Sequence, residues 1–227
     1  SGTWINAELL HLGRQAPALQ SLDLSHTRGL GLTIPLSMIH SHAFPYLRAL
    51  KLDNLSPDSV EQVQELALTL NLPALRQLSI QSWTRTGPVP EWWDEAPDLC
   101  IDRLNALIHS PMIERLTHLD LSKNQLSTEM IDLLASANET CNLLCLRLAD
   151  CGLRAEQMEI LAGSAHLSKL RILDLRGNPI GENGARELIE SPHFNDLHTI
   201  YVDRKVNLTR RARKDLEARF GSFSLQS

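Results

Sequence analysis

Cys145 and His118 are a pair of side chains with the types needed for nucleophilic catalysis. They lie 27 residues apart, and a repeat of that length would place them side by side on neighbouring strands as a thiol and a base. Such chemistry also needs a group that orients the imidazole and donors that stabilise an oxyanion, and the sequence shows neither in a recognisable pattern. We therefore predict no catalytic residue.

The histidines and cysteines do not predict a metal site. The four cysteines match no paired CxxC spacing and are too few to indicate a disulfide scaffold, so we expect free thiols. His166 and His193 each lie four residues before the first leucine of a predicted strand, which indicates matched loop positions and not converging ligands. His40 and His42 form a similar loop pair. The sequence predicts no metal ion and no cofactor.

Aromatic and guanidinium side chains offer a different chemistry, the anchoring of a protein partner. Trp92 and Trp93 lie among acidic residues in the segment TRTGPVPEWWDEAP, and tryptophan is enriched among the residues that dominate interface energies. A second interpretation folds one or both indoles back over the chain as core. Arg147, Arg176 and Tyr201 combine reach, planarity and apolar area, so we predict that they bind the partner as well.

A repeated leucine pattern assigns these residues to strands and loops. The pattern LxxLxL recurs at steps of 28, 28, 41, 27, 27 and 27 residues. Its alternating leucines bury one face of a short strand and leave polar residues on the other face. Helix signals follow the strands, such as Ser56-Pro57-Asp58 after the second copy and Ser127 after the fourth. The first leucines of the seven copies are Leu19, Leu47, Leu75, Leu116, Leu143, Leu170 and Leu197.

The clearest copies, LTHLDLSKNQL, LLCLRLADCGL and LRILDLRGNPI, resemble the leucine-rich repeat family and specifically its ribonuclease-inhibitor-like class. The resemblance covers almost the whole chain. It implies an α/β solenoid, a horseshoe with a concave parallel β-sheet of about seven strands and convex helices. Strands stack roughly 4.8 Å apart and helices roughly 8 to 10 Å apart, which independently favours an arc with the helices outside.

The family also places Asn or Cys eight residues after each first leucine, where the side chain satisfies backbone groups of the loops. We call this set of positions the loop ladder. Three consecutive copies near the C-terminus fit the pattern, so we expect the N-terminal half, which lacks part of this hydrogen bonding, to be less regular. Cys151 is predicted to be inert in the ladder, and Cys145 to be accessible on the outward side of its strand. The ladder positions hold Thr27, Leu55, Trp83, Asn124, Cys151, Asn178 and Lys205.

The repeat positions divide the chain into segments. Residues 1–18 are interpreted as the remnant helix of a preceding repeat, and residues 19–207 as seven repeats with an insertion at 84–97. Residues 208–221 are interpreted as a C-terminal capping helix and residues 222–227 as a tail. The leucines that we predict to be buried by this register include Leu22, Leu24, Leu119, Leu121, Leu173 and Leu175.

The charge of the chain argues against generic binding to polyanions. The formal net charge is -5 and the pI is about 6.0, whereas nucleic acid and anionic membranes attract basic surfaces. The predicted concave face is mixed in sign, with six acids against five bases. The sequence shows no signal peptide and no apolar run of membrane-spanning length. We therefore predict a cytoplasmic monomer that binds a protein partner, and no nucleic acid or membrane.

These features together predict a non-enzymatic protein-protein interaction module of a larger intracellular protein, which binds through the concave sheet and the Trp-bearing insertion. The segment ESPHFNDL and the later ARFG resemble the C-terminal part of bacterial leucine-rich repeat proteins, which implies a bacterial source. One alternative is a regulator of a small GTPase, of the activating type, because similar repeats occur in the Ran GTPase-activating family. That alternative depends on fold analogy, and a GTP hydrolysis assay tests it.

A second alternative is a cysteine-dependent enzyme. Cys100-Ile101-Asp102 has the Cys-x-Asp spacing of bacterial ubiquitin ligases that also carry leucine-rich repeats, where a thiolate would accept ubiquitin. The resemblance does not extend to the separate helical catalytic domain of those ligases. Leu104 and Leu107 instead indicate an ordinary repeat helix at this position. Thiol labelling with ubiquitin conjugates distinguishes the two interpretations.

Overall fold

A computed structural model of the chain describes residues 18–25, 44–55, 63, 72–83, 100–203 and 208–224. The chain forms two compact units, Ser1–Leu116 and Thr117–Ser227. Both are built from three-residue strands, and the first seven strands each begin two residues after the first leucine of a repeat. The prediction of an α/β solenoid with a short parallel strand in each leucine repeat is confirmed.

The strands of the first unit are parallel and in register. Leu22, Leu50 and Leu78 occupy the same position on three consecutive strands, so one leucine per repeat stacks on the next. The elements of this unit are β1 (Ser21–Asp23), β2 (Ala49–Lys51), β3 (Gln77–Ser79), α1 (Ile101–Ile108) and the 3-10 turn Ile113–Arg115.

The second unit contains five parallel strands, each paired with the next. The last of them lies in the segment that the sequence assigns to a tail, and it adds one strand to the seven predicted. Its segment lacks the LxL pattern, but parallel pairing uses backbone groups and needs no leucines. The chain enters it through Gly221, whose φ of 70° is left-handed. The strands are β4 (His118–Asp120), β5 (Cys145–Arg147), β6 (Ile172–Asp174), β7 (Thr199–Tyr201) and β8 (Ser222–Ser224).

Helices follow the strands of the second unit, and hydroxyl side chains cap two of them. Ser127 Oγ accepts a hydrogen bond from the Met130 N–H, and Thr209 Oγ1 accepts one from the Ala212 N–H, which satisfies an otherwise unpaired donor in the first turn. The helical elements are α2 (Thr128–Ser136), the 3-10 turn Asn138–Asn142, α3 (Ala155–Gly163), α4 (Gly181–Glu190) and α5 (Arg210–Phe220).

The inward leucines form the core that the alternation predicts, with one exception. Leu119, Leu121, Leu173 and Leu175 are all buried, as is Leu24. Leu22 is only half-buried, so the prediction that it is buried is wrong. Among the described strands, β1 has a neighbour on one side only, and a leucine in such a strand is covered from one side.

Asn178 shows how the loop ladder works in the second unit. Its side-chain oxygen accepts hydrogen bonds from the backbone N–H groups of Cys151 and Leu153, both at 3.0 Å. Its amide nitrogen donates to the carbonyls of Leu148 at 2.6 Å and Leu175 at 3.0 Å. One buried side chain therefore satisfies backbone groups of two consecutive repeats.

The other two ladder residues of the second unit act in the same way. The Cys151 thiol donates to the Leu121 carbonyl at 3.3 Å, and the Asn124 amide donates to the same carbonyl at 2.9 Å. Both side chains are fully buried. The predicted ladder over Asn124, Cys151 and Asn178 is therefore present.

Trp83 performs the same task in the first unit. Its indole is fully buried, and its Nε1–H donates to the Leu52 carbonyl at 2.8 Å. Leu52 corresponds in its repeat to Leu148, whose carbonyl accepts from Asn178. The prediction that the first three repeats lack part of the ladder is wrong for the donor at Trp83, because an indole N–H replaces the amide. It holds for Leu55, which is buried and has no side-chain donor. Thr27 and Lys205 lie outside the described residues.

The residue before each described ladder position has a left-handed backbone. The N–H groups of Asn54, Lys123 and Asp150 each donate to a carbonyl of the next repeat; that of Lys123, for example, donates to the Ala149 carbonyl at 2.7 Å. Glycine is required at only one of these positions, since a Cβ on Gly177 would lie 3.2 Å from the Asp150 Cα and closer still to its carboxylate. The left-handed residues, with φ between 53° and 72°, are Asn54, Ser82, Lys123, Asp150 and Gly177.

Candidate functional site

The outward side of β4 to β7 holds the partner-binding residues that the sequence predicts in the second unit. Parallel pairing aligns Asp120, Arg147, Asp174 and Tyr201 in one row across the four strands. Arg176 lies two residues beyond Asp174, on the same side of the chain. The aliphatic residues on either side of each row position are buried, so the row faces away from the core.

Asp174 holds Arg176 in a fixed orientation. The Arg176 Nε donates to Asp174 Oδ1 at 2.9 Å, and its Nη2 donates to Oδ2 at 2.6 Å. The backbone N–H of Arg176 also donates to Oδ1, at 3.2 Å. Bidentate pairs of this kind are among the strongest side-chain hydrogen bonds. Hydrogen bonding to Asp174 raises the pKa of Arg176, so the guanidinium stays charged.

The Arg176 guanidinium lies over the Tyr201 ring. The distance from Arg176 Cζ to the ring centroid is 5.3 Å, which is within the range of a cation-π contact. Both side chains are partly exposed, whereas Asp174 beneath them is 2% exposed. Arg176 and Tyr201 therefore form a flat, preoriented surface, which we call the platform.

Arg147 is held much more loosely. Its Nη1 lies 3.8 Å from Asp120 Oδ2, which is an ion-pair distance but too long for a hydrogen bond. The Arg147 side chain is 55% exposed, whereas the Asp120 side chain is 11% exposed. The carboxylate therefore lies low in the face and the guanidinium extends above it.

Cys145 and His118 are neighbours, as the register predicts, but the thiol is buried. Cys145 is 2% exposed, so the prediction that it is accessible is wrong. Its partners across the strands are His118 and Ile172, and these larger side chains flank the small thiol on both sides. Burial raises the pKa of Cys145. It thereby opposes formation of the thiolate that nucleophilic chemistry requires.

The pKa values of His118 and Cys151 are also shifted from their usual values. Burial, followed by the charge of Arg147, lowers the pKa of His118, so the imidazole beside the row favours its neutral form. Burial raises the pKa of the Cys151 thiol to about 12, which agrees with the prediction that this ladder residue is inert.

The remaining candidate residues of the sequence analysis are two tryptophans and a cysteine. Trp92 and Trp93 lie outside the described residues, so their role in binding stays a prediction. Cys100 is half-buried and directly precedes α1, whose buried side includes Leu104 and Leu107, as expected for a repeat helix.

Within the described segments, His, Cys, Asp and Glu side chains form no group of three that could hold a metal ion. None of the helices in those segments has the length and apolar character to span a membrane.

The sequence places Asp120 and Asp174 on the outward face but does not identify them as the acids that hold its arginines. Asp120 and Asp174 are both buried, and both carry an arginine above them. The pairing of Asp174 with Arg176 could be predicted from the sequence, because residues two positions apart along an extended chain share a face. The row that joins Asp120 to Arg147 needs the register of two strands 27 residues apart.

Two segments of the chain match models of the leucine-rich repeat, residues 115–137 and residues 166–188. A rat protein, NACHT, LRR and PYD domains-containing protein 1a allele 1, is 46% identical over 79 residues, which cover 33% of this chain and 6% of that protein. Human NACHT, LRR and PYD domains-containing protein 13 is 29% identical over 231 residues, or 91% of this chain and 22% of that protein. The chain thus spans less than a quarter of the length of these relatives.

Solved structures share the fold at low sequence identity. A chain in the crystal structure of the yeast Rad7 and Elc1 complex has a TM-score of 0.61 at 16% identity, covering 97% of this chain and 59% of that one. A protein from Bacteroides fragilis has a TM-score of 0.57 at 15% identity, covering 92% and 66%. The stacked strands and the loop ladder, together with these matches, show that the chain has the leucine-rich repeat fold.

Proposed function

We propose that this chain is a non-enzymatic interaction module of a larger, intracellular protein, and that it binds a protein partner through the outward face of its strands. Leucine-rich repeat domains are generally protein-interaction modules. The binding residues in this proposal are Arg147, Arg176 and Tyr201, together with Trp92 and Trp93 of the insertion. The monomeric state, cytoplasmic location and bacterial source predicted from the sequence stay predictions.

The observation that carries the proposal is the platform. Ordering a long side chain on binding usually costs free energy, about 0.5 to 1.5 kcal/mol for each rotamer-rich group. Arg176 is already ordered by its bidentate contact with Asp174 and by its position over Tyr201. Binding of a partner to this surface therefore costs little additional side-chain entropy. It also buries the apolar area of a guanidinium and a phenol ring.

The insertion supplies the second part of the proposed surface. A desolvated tryptophan anchor can contribute roughly 2 kcal/mol or more to binding, whereas an exposed ion pair typically contributes about 0 to 1 kcal/mol. Trp92 or Trp93 should therefore contribute more than any single charge on the strand face.

The test compares partner recovery between matched variants. The chain is immobilised and used to capture proteins from a lysate, and each captured protein is then titrated against Arg147→Ala, Arg176→Ala, Tyr201→Ala, Trp92→Ala and Trp93→Ala. The control is Arg186→Ala, which removes an exposed arginine from helix α4. Every variant must first melt like the parent chain.

A protein that binds at the proposed surface loses affinity with the face and insertion variants and keeps it with the control. If both Trp variants keep full affinity while the Arg variants lose it, binding belongs to the strand face alone. If no captured protein distinguishes any of the five variants from the control, the proposed surface is wrong.

A further inference from the structure

In two ion pairs on the face of the second unit, Asp120–Arg147 and Asp174–Arg176, the acid is buried and the base is exposed. Counted along the sequence, acids and bases nearly balance. In the structure, Asp120 and Asp174 are 8% and 2% exposed, whereas the Arg147 side chain is 55% exposed and that of Arg176 is 36% exposed. Each pair is therefore a dipole with its positive end towards solvent.

The two arginines differ in what they can still bind. The Arg176 fork already makes two hydrogen bonds to one carboxylate, so its remaining role is that of a flat surface over Tyr201. The contact of Arg147 with Asp120 spans 3.8 Å, so the hydrogen-bonding geometry of its fork is not satisfied by that carboxylate. A guanidinium fork matches a carboxylate with two parallel hydrogen bonds.

Arg147 and the Arg176–Tyr201 platform lie close together on the face. Arg147 pairs in register with Asp174, and Asp174 pairs with Tyr201, so Arg147 and the platform occupy neighbouring strands. Adjacent parallel strands are about 4.8 Å apart, a distance that neighbouring side chains of one peptide segment can span.

We infer that the face recognises a protein segment that presents a carboxylate to Arg147 and a flat aromatic or apolar side chain to the Arg176–Tyr201 platform. This inference rests on the proposed function and gives the partner a chemistry, an acidic side chain beside an aromatic one. The buried acids also set the expected charge of the ligand. A dianionic phosphate or a nucleic acid strand would place more negative charge near Asp120 and Asp174 than a single carboxylate does, so the single carboxylate is favoured.

The experiment uses a displayed library of random linear peptides, selected in parallel on the full chain and on Arg147→Ala. Peptides that depend on Arg147 should be enriched in Asp or Glu next to Trp, Tyr or Phe. One enriched peptide is then synthesised, and its affinity is measured by fluorescence anisotropy. Arg147→Ala should weaken it by about tenfold or more, because a charged hydrogen-bonded contact is lost.

Two further variants separate the contributions to this affinity. Arg147→Lys keeps the charge but loses the fork, so it should also weaken binding several-fold. Arg186→Ala should leave the affinity unchanged. Replacing the acidic residue of the peptide by Gln or Asn should remove the difference between the parent chain and Arg147→Ala.

The outcomes distinguish this inference from the proposed function. If the selected peptides depend on Tyr201 and Arg176 but show no acidic enrichment, the inference is overturned and the face remains a binding surface. If single-stranded nucleic acid competes with the peptide at equal concentration and depends on Arg147, the carboxylate assignment is wrong. If no selected peptide depends on any residue of the face, both the inference and the proposed surface fail.

Discussion

The first and second units use different side chains to donate hydrogen bonds to the backbone carbonyls of their loops. In the second unit, Asn178 bridges two repeats with a small polar group that both accepts and donates hydrogen bonds. In the first unit, Trp83 reaches the corresponding carbonyl with a large apolar group that can only donate. At Trp83 the indole N–H thus replaces the amide donor of Asn178, whereas Leu55 is buried at its ladder position with no side-chain donor.

This difference determines how each unit should respond to mutation. An asparagine in the ladder contributes mainly hydrogen bonds, so its loss leaves buried backbone groups unsatisfied. A tryptophan contributes the same donor and also the volume of an indole, so its loss creates a cavity as well. The loop between strand and helix is thus stabilised by polar contacts in the second unit and by packing plus one indole donor at Trp83.

Trp83→Ala should have the largest effect on stability. Removing a fully buried indole should lower the free energy of unfolding by about 3 to 5 kcal/mol. Trp83→Phe keeps most of the volume and loses the N–H, so it should cost about 1 to 3 kcal/mol. Urea unfolding followed by circular dichroism measures both. Equal losses for the two variants would show that the donor, and not the volume, matters at this position.

Leu173→Ala and Leu22→Ala compare the core at a central and at a peripheral strand. Leu173 is fully buried, so its truncation should cost about 2 to 5 kcal/mol. Leu22 is half-buried, and its truncation should cost about 1 kcal/mol. The midpoints of denaturant unfolding give the comparison. A loss at Leu22 as large as that at Leu173 would mean that Leu22 is buried in solution.

Asn178→Ala tests the polar form of the ladder. It removes the partner of two buried N–H groups and two carbonyls, so it should lower the free energy of unfolding by about 2 to 3 kcal/mol. Asn195 is exposed and donates to the Pro192 carbonyl, so Asn195→Ala is the matched control. The control should change stability by less than about 0.5 kcal/mol. Thermal melts of both variants show whether the buried Asn178 amide contributes more to stability than the exposed Asn195 amide.

Cys151 gives a prediction of a different kind, a dependence of stability on alkaline pH. Burial raises its pKa in the folded chain from 9.0 to about 12, so between these values only the unfolded thiol loses its proton. The protonated Cys151 thiol contributes fully to the free energy of unfolding below pH 9. This contribution is lost as the pH rises towards 12, at about 1.4 kcal/mol per pH unit. Because serine does not titrate, the stability difference between the parent chain and Cys151→Ser should change across this window. A constant difference would show that the thiol is not protected.

The fold was largely predictable because it depends on a local pattern. The leucine alternation places strands correctly, since each strand begins two residues after a first leucine in all seven copies. The strand β8 was missed because its pairing depends on backbone groups and not on leucines. The role of Trp83 does not follow from the family pattern, because that pattern names Asn or Cys, whereas an indole N–H supplies the same buried donor.

The candidate site was predictable only in part. Arg147, Arg176 and Tyr201 follow from their residue types and their place in the repeat, which puts them on the outward side of three strands. Their different roles do not follow, because these depend on the distances to Asp120 and Asp174. Cys145 shows the same limit, since its outward position predicts exposure and its larger neighbours bury it.

The sequence by itself determined the repeat, the strand register, most of the buried leucines and the Asn and Cys positions of the ladder, because each depends on residues at fixed spacing along one chain. Only the tertiary structure decided which outward charges are accessible, because accessibility depends on side chains from strands about 27 residues apart that lie next to each other. Alternation assigns a side chain to a face, but the height of a guanidinium above a carboxylate is set by packing across that face. Packing therefore places the Arg147 and Arg176 side chains at the solvent and keeps their partners Asp120 and Asp174 beneath them.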